Sequence, residues 1–284
     1  MKPYFWLLTL CLSGLVAAQS RVLDAASLPS KILKSERNYA VYLPDGYEQS
    51  SRSYPVLYLL HGYTDNQTGW VQFGEVQHIA DKAIAAGEAT PMIIIMPDAD
   101  TGRPGYTNGI DDKWAYEDFF FNELMPHVEK TYRIRKEKRF RAVAGLSMGG
   151  GGTFLYAMRH PELFAAAAPL SAWMGPQTSE ELTDWAKRSG AQFSEDRATN
   201  YLEKNNPLHL AKTLETDALN SVRWYIDCGD DDFLYEGNSQ MHVLLKARGV
   251  NHEYRVRDGG HTWTYWRTAL PTVLEFITES FHQK

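Results

Sequence analysis

The stretch RAVAGLSMGGGGT, residues 141–153, decides the fold of this chain. Its centre, GLSMG, places glycines two residues before and two residues after Ser147, which is the G-x-S-x-G spacing of a sharp strand-to-helix turn. A serine hydroxyl is a poor nucleophile until such a turn presents it to a base and to a backbone N–H group. The glycines remove the Cβ atoms that would clash there. We therefore take Ser147 as the candidate nucleophile.

Both flanks of this motif favour the same interpretation. Residues 140–144 have the apolar character of a short strand buried in a parallel sheet, and residues 153–160 have that of a helix that Pro161 ends. Each glycine in the middle of a surface helix costs about 1 kcal/mol relative to alanine. The glycine run 149–152 therefore indicates a helix start that packs tightly against its neighbours.

The composition is that of an enzyme-sized globular protein. The chain has 284 residues, of which 44% are hydrophobic and 23% charged. A chain of this kind can bury a sizeable core within one domain. Its net charge of -6 excludes the basic footprint of a nucleic-acid-binding protein.

The first eighteen residues differ from the rest of the chain. Lys2 precedes an apolar run over residues 5–16, and small residues follow at 17–18, which is the pattern of a secretory signal peptide. The apolar run is shorter than the roughly 20 residues that a membrane-spanning helix needs, so an anchor is the less favoured alternative. We expect a signal peptide at 1–18, one catalytic domain at 19–284, and a secreted or periplasmic location without stable membrane insertion.

Beyond the leader, the pattern alternates between strand and helix. This alternation predicts an α/β domain whose largely parallel sheet is covered by helices on both faces. A long helix over 114–132 contains Pro126, which would kink or split it. The polar segment 175–214 predicts an insertion or lid over the sheet edge. The remaining predicted strands lie at 38–43, 54–60, 92–96, 222–228 and 252–256, and the late helices at 238–248 and 266–281.

A serine nucleophile of this type needs an acid and then a histidine later in the chain. The segment GGH at 259–261 presents His261 on a glycine turn, where it would accept the Ser147 proton as general base. The segment YIDCGDDDF at 225–233 is a strand that runs into an acidic turn, and Asp232 stands near its far end. Asp232 would fix the imidazole tautomer.

Two neighbouring carboxylates, Asp230 and Asp231, remain alternative acids. The run of three aspartates lacks the spaced ligands of a calcium loop, so no metal is implied. Once the leader is removed, Cys228 is the last cysteine of the chain, and no internal disulfide can form.

Acyl transfer also requires two backbone N–H groups that face the developing oxyanion. One should belong to Met148, the residue after the nucleophile, and the other to the loop that follows the early buried strand, residues 61–66. Gly62 permits a turn in that loop. We therefore expect the second donor to be the N–H of Tyr63, with that of Gly62 as the alternative.

Five ordered blocks and a tryptophan carry a resemblance to a known family: LYLLHG at 57–62, Trp70, YEDFFFNELMPHVEKTY at 116–132, GLSMGG at 145–150, CGDDDFL at 228–234 and GGH at 259–261. Together they resemble the esterase D-like family of α/β-hydrolases, of the type of carbohydrate esterase family one. The resemblance implies an α/β-hydrolase fold, a triad of Ser147, Asp232 and His261, and oxyanion donors at Tyr63 and Met148. The long glycine run departs from the family pattern.

The resemblance covers several activities, among them feruloyl and acetylxylan esterases, S-formylglutathione hydrolases, small-acyl esterases and secreted mycolyltransferases. Glutathione-conjugate hydrolases are cytosolic, whereas export and eight tryptophans favour an esterase of polysaccharide side chains, because aromatic faces stack on sugars or on a feruloyl ring. For each tryptophan, core packing is the alternative. Four tryptophans are candidates for such a substrate-binding wall: Trp70, Trp114, Trp173 and Trp263.

We therefore expect a secreted serine carboxylesterase that acts on plant cell-wall esters, with a feruloyl group preferred over an acetyl group. The expected partner is a small-molecule or polysaccharide ester, and no metal or organic cofactor is implied. A secreted acyltransferase is the alternative within the enzyme class. A non-catalytic carbohydrate-binding protein is the alternative outside it, and it would show a broken triad.

Overall fold

The computed structural model describes residues 19–99, 102 and 105–282, so the expected signal peptide at 1–18 lies outside the described residues. Eight strands form one sheet in the order β1-β2-β4-β3-β5-β6-β7-β8. The pairs from β4 through β8 are all parallel, while β1 and β2 join antiparallel. The strands are β1 (Arg21–Ser30), β2 (Ser35–Leu43), β3 (Val56–Leu60), β4 (Ile93–Pro97), β5 (Arg141–Leu146), β6 (Ala166–Leu170), β7 (Arg223–Gly229) and β8 (His252–Arg257).

The central strands β3, β4, β5 and β6 are buried along their whole length. Strands that helices cover on both faces have continuous apolar sequences. This explains why three of these four strands, β3, β4 and β5, were predictable. Two strands were not predicted. The edge strand β1 has a mixed, half-exposed pattern, and β6 has the sequence AAAPL, whose alanines have little preference for strands.

Helices cover both faces of the sheet and enclose two large hydrophobic clusters. This arrangement confirms the predicted α/β class with a mostly parallel sheet. No helix in the described ranges is both long enough and apolar enough to cross a membrane. The helices are α1 (Gly69–Gln72), α2 (Val76–Ala85), α3 (Tyr116–Phe119), α4 (Met125–Thr131), α5 (Met148–Arg159), α6 (Ser179–Ser189), α7 (Glu195–Asn205), α8 (Pro207–Thr213), α9 (Thr216–Asn220), α10 (Tyr235–Ala247) and α11 (Trp263–His282).

A π-helical turn, Phe120–Leu124, joins α3 to α4 directly before Pro126. Proline has no N–H for the helical ladder, and its ring clashes with the carbonyl four residues earlier. The wider π turn is a common way to accommodate such a break. The predicted helix over 114–132 is therefore present in two α-helical parts.

The polar segment 175–214 folds into α6, α7 and α8. It contributes to a small hydrophobic cluster of its own, in which Leu182 and Ala198 pack with Ile110. Helix α8 also packs against α5, the helix that follows Ser147. The segment therefore packs against the helix that follows the candidate nucleophile.

Candidate active site

Ser147 occupies the turn between β5 and α5 with a strained backbone, φ 54° and ψ -116°. Such conformations cost about 1–3 kcal/mol for a residue other than glycine and persist only where neighbours hold them. The end of β6 does so here. The Ser147 N–H donates to the Leu170 oxygen at 2.9 Å, and the Trp173 N–H donates to the Ser147 oxygen at 2.9 Å.

The glycine run that departs from the family pattern has a packing reason at each position. A Cβ atom on Gly149 would lie 2.6 Å from the His61 oxygen, and one on Gly150 would lie 2.7 Å from the Leu170 oxygen. One on Gly151 would overlap the Trp173 oxygen, and one on Gly152 would lie 2.9 Å from the Tyr106 side chain. Helix α5 is therefore in close contact on four sides at its start.

Three side chains form a hydrogen-bonded relay at this turn. The Oγ atom of Ser147 lies 2.9 Å from Nε2 of His261, and Nδ1 of His261 lies 2.8 Å and 3.0 Å from the two oxygens of Asp232. Because an ionised carboxylate only accepts hydrogen bonds, the proton of the neutral imidazole lies on Nδ1. Nε2 is then free to accept the serine proton.

Asp232, rather than its two neighbours, reaches the imidazole. Its carboxylate is fully buried and accepts a further hydrogen bond from the Leu234 N–H at 2.8 Å, whereas Asp230 and Asp231 are exposed. Burial by itself raises the pKa of Asp232, but hydrogen bonds from His261 and Leu234 outweigh it and hold the pKa below the usual 3.8. The acid of the relay is therefore charged at neutral pH.

Two aromatic rings flank the imidazole of His261. The indole of Trp266 meets it edge-on at 4.9 Å and donates to the Ser171 hydroxyl at 3.0 Å. The ring of Phe233 lies 4.5 Å from it on exposed surface. Neither ring was predicted from the sequence to lie at the site. Phe233 directly follows Asp232, and Trp266 follows His261 by five residues. This closeness in sequence was the signal that could have predicted their place beside the imidazole.

The loop after β3 packs against the serine turn. A Cβ atom on Gly62 would lie 2.6 Å from Cδ1 of Leu146 and 3.4 Å from the Ser147 Cβ. The preceding residue, His61, is buried, and the hydroxyl of Tyr106 both accepts from its N–H at 2.8 Å and donates to its carbonyl at 3.1 Å. The loop is therefore held rigidly beside Ser147.

Both expected oxyanion donors lie next to this contact. Met148 is the first residue of α5, and the first N–H groups of a helix have no acceptor inside the helix. The helix dipole adds partial positive charge at the same end. Tyr63 directly follows Gly62, and its own side chain is exposed. The two N–H groups thus belong to segments that meet at Ser147.

The thiol of Cys228 is not a competing nucleophile. Burial raises its pKa to about 12, and the thiolate is the reactive form. The side chain is also inaccessible at the end of β7.

The four candidate tryptophans divide into two groups. The expectation of an exposed aromatic face is wrong for Trp70, which is fully buried and donates its indole N–H to the Leu60 oxygen at 3.0 Å. It is also wrong for Trp114, which is buried and stacks on Tyr116. Trp173 and Trp263 are half-buried and keep part of their surface accessible.

Trp173 lines a small cavity of about 30 Å³ beneath the segment 175–214. Two aromatic side chains of that segment, Trp185 and Tyr201, line it as well, together with Met148 of the serine turn. Space of this size holds about one or two water molecules. Trp263 does not line this cavity, and its ring contacts those of Trp70 and Phe73.

The family of the chain follows from a match over most of its length. Residues 30–277 match the model of the family described as "Putative esterase". The chain belongs to this family. It is 32% identical over 249 residues to an endo-1,4-beta-xylanase/feruloyl esterase of Xylanibacter ruminicola, an alignment that covers 84% of this chain and 28% of that protein. An esterase of Mycobacterium tuberculosis is 29% identical over 248 residues, which are 78% of this chain and 52% of that protein. The chain thus spans about a quarter to a half of these curated relatives.

Solved structures share the fold over almost the whole chain. A ferulic acid esterase superposes with a TM-score of 0.83 at 38% identity and covers 93% of this chain and 99% of that one. An S-formylglutathione hydrolase from Staphylococcus aureus superposes with a TM-score of 0.72 at 22% identity and covers 92% of this chain and 100% of that one. The second likeness concerns the fold alone. Together they confirm the predicted α/β-hydrolase fold.

Proposed function

We propose that this chain is a secreted serine carboxylesterase that hydrolyses acyl esters of plant cell-wall polysaccharide, with feruloyl esters preferred. The relay of Ser147, His261 and Asp232 carries the proposal, because it supplies a nucleophile, a general base and an acid in hydrogen-bonding geometry. The similarity to proteins described as feruloyl or ferulic acid esterases supports the choice of acyl group.

In the proposed reaction, the Ser147 oxygen attacks the ester carbonyl while Nε2 of His261 takes the hydroxyl proton. The N–H groups of Tyr63 and Met148 stabilise the oxyanion that forms. His261 then returns the proton to the leaving alcohol, which leaves an acyl group on Ser147. Water attacks this acyl-enzyme by the same route and releases the acid.

Three substrates test the choice of ester. The purified protein is given methyl ferulate, acetylated xylan and S-formylglutathione, and kcat/KM is compared. We expect the highest value for methyl ferulate. A higher value for acetylated xylan would move the proposal to the acetyl esterases, and a clear preference for the thioester would overturn it.

A Ser147→Ala variant tests the nucleophile. We expect it to fold, since its backbone stays in place, and to lose ester hydrolysis on all three substrates. Appreciable remaining turnover would overturn the serine assignment. The unsubstituted protein is also assayed with an added sugar as a competing acyl acceptor, and the products are analysed. Free acid indicates hydrolysis, whereas an ester of the added sugar indicates acyl transfer.

The secreted or periplasmic location is part of the proposal and rests on the pattern of residues 1–18. Expression of the full chain in a bacterial host, followed by fractionation, tests it. We expect mature protein outside the cytoplasm. Full-length protein retained in the cytoplasm would overturn it.

A further inference from the structure

Exposed aromatic side chains concentrate at the candidate active site. In the described part of the chain six large hydrophobic side chains are exposed, and four of them are aromatic. Three of these four follow Gly62 or Asp232 by at most three residues: Tyr63, Phe233 and Tyr235, exposed by 58%, 72% and 55%. We call these three the aromatic rim.

Each member of the rim is held close to the relay. The Phe233 ring contacts the His261 ring at 4.5 Å, and the backbone N–H of Tyr235 donates to the backbone carbonyl oxygen of Asp232 at 2.9 Å. Tyr63 follows Gly62, whose backbone lies against Ser147. The aromatic rim therefore lies on the loops that carry Gly62 and Asp232.

Folding gives no reason to keep these rings in water. Burying a phenylalanine side chain stabilises a protein, and Phe233, exposed by 72%, gains little of that stabilisation. Clustered apolar surface on a soluble protein marks an interaction site. The rim thus has the properties of a binding surface.

The surrounding charges define what can bind there. Asp230 and Asp231 are exposed on the loop that carries Asp232, and Asp258 is exposed on the loop that carries His261; their carboxylate oxygens lie within 4.8 Å of one another. These carboxylates repel an anionic ligand and accept hydrogen bonds from hydroxyl groups. Aromatic faces bind the apolar side of a flat ring. A neutral, polyhydroxylated chain that stays half in water fits both features.

We propose that the aromatic rim binds the sugar residues on the alcohol side of the scissile ester. The proposal rests on the proposed esterase function and names the part of the substrate that the rim takes. Because Phe233 and Tyr235 are both more than half exposed, the sugar lies against them on the open surface.

A pair of substrates with the same acyl group isolates the sugar. Methyl ferulate and a feruloylated arabinoxylan oligosaccharide differ only in the alcohol. We expect Phe233→Ala and Tyr235→Ala to lower the ratio of kcat/KM, oligosaccharide ester over methyl ester, about tenfold, mainly through KM. Phe233→Tyr, which keeps an aromatic face, should restore the ratio. A ratio within twofold of the parent in both alanine variants would overturn the proposal.

Val243→Ala serves as the matched control. Val243 is exposed by 65% on α10, outside the rim, and we expect its ratio to equal that of the parent. An equal fall in this variant would show that loss of any exposed apolar side chain suffices, and would overturn the proposal.

A binding measurement separates the rim from the esterase proposal. Ser147→Ala protein is titrated calorimetrically with unesterified arabinoxylan oligosaccharide, with and without Phe233→Ala. We expect binding that weakens about tenfold in the double variant. Absence of binding by the Ser147→Ala protein would overturn the rim. Binding by the Ser147→Ala protein, combined with no hydrolysis of methyl ferulate by the unsubstituted protein, would overturn the esterase proposal alone.

Discussion

The imidazole of His61 holds the carbonyl of Gly62, with 2.8 Å between Nδ1 and the Gly62 oxygen. The Ala99 N–H donates to Nε2 of the same ring at 3.0 Å, so the ring proton lies on Nδ1. Burial lowers the pKa of His61, which keeps the ring neutral. Because a trans peptide is planar, a carbonyl fixed toward His61 fixes the Tyr63 N–H in the opposite direction. His61 therefore orients the expected oxyanion donor.

Two substitutions at His61 separate its two hydrogen bonds. An asparagine amide can replace the donor at the Nδ1 position, whereas a glutamine oxygen can replace the acceptor at Nε2. We expect His61→Gln to lower kcat by about 10- to 100-fold, since loss of one oxyanion donor costs up to about 10²–10³. His61→Asn should retain more of the parent kcat.

Steady-state kinetics on methyl ferulate, with thermal unfolding of both variants, checks this prediction. The two variants should have similar melting temperatures but different kcat values. Equal kcat in His61→Gln and His61→Asn would show that the Gly62 carbonyl needs no imidazole to hold it.

Substitution of the relay acid should be far more damaging than substitution of its neighbour. Asp232→Asn presents an amide to the imidazole, which favours the wrong tautomer, and such a change lowers kcat by about 10⁴ in a comparable serine hydrolase triad. Asp231→Asn is the matched control, because that side chain is exposed and outside the relay. We expect kcat of the control to stay within about twofold of the parent. A comparable loss in both variants would move the acid to Asp231.

The charge on Asp232 should also give stability a defined pH dependence. A carboxyl whose pKa is lower in the folded than in the unfolded state stabilises the fold above its unfolded pKa. That stabilisation is lost as the pH falls through the folded pKa. Asp232→Asn should therefore melt below the parent near pH 7, with a smaller difference near about pH 3.

Differential scanning calorimetry at several pH values measures this difference. Asp231→Asn should match the parent throughout. A gap between Asp232→Asn and the parent that stays constant as the pH falls would contradict a lowered pKa.

The fold could be predicted to the extent that each strand had a distinctive apolar sequence. The apolar runs of β3, β4 and β5 predicted a buried parallel sheet, and their observed bounds differ from the predicted ones by one or two residues. The alanines of β6 gave no such signal, because alanine favours helices and is depleted in strands. Yet β6 supplies Leu170, whose carbonyl holds Ser147.

The relay was predictable and the aromatic surroundings were not. Residue order and glycine turns pointed to Asp232 and His261, because chain order is part of the motif. A tryptophan carries no comparable sign of its burial. Trp70 was expected at a substrate-binding wall and lies in the core. Phe233 was not predicted to be a site residue and is exposed beside the imidazole. Such surroundings depend on contacts between segments distant in sequence.

The last prediction concerns the glycine run. A methyl group on Gly149 would lie 2.6 Å from the His61 oxygen and 2.7 Å from the Leu60 oxygen, and backbone carbonyls cannot move aside as a side chain can. Overpacking of this kind costs about 1–3 kcal/mol. It also pushes on the loop that carries Gly62. We expect Gly149→Ala to lower both the melting temperature and kcat.

Gly237→Ala provides the matched control in another helix. A methyl group at Gly237 would meet only the side chain of Met174, 2.8 Å from its Cγ, and a side chain can change rotamer whereas a backbone carbonyl cannot. Alanine is better than glycine in a helix by about 1 kcal/mol, which offsets part of the cost, so Gly237→Ala should lower the melting temperature less than Gly149→Ala and leave kcat unchanged. Thermal unfolding of both variants and kcat on methyl ferulate check the pair. A Gly149→Ala protein as stable and as active as Gly237→Ala would mean that α5 does not need its glycines to approach β3.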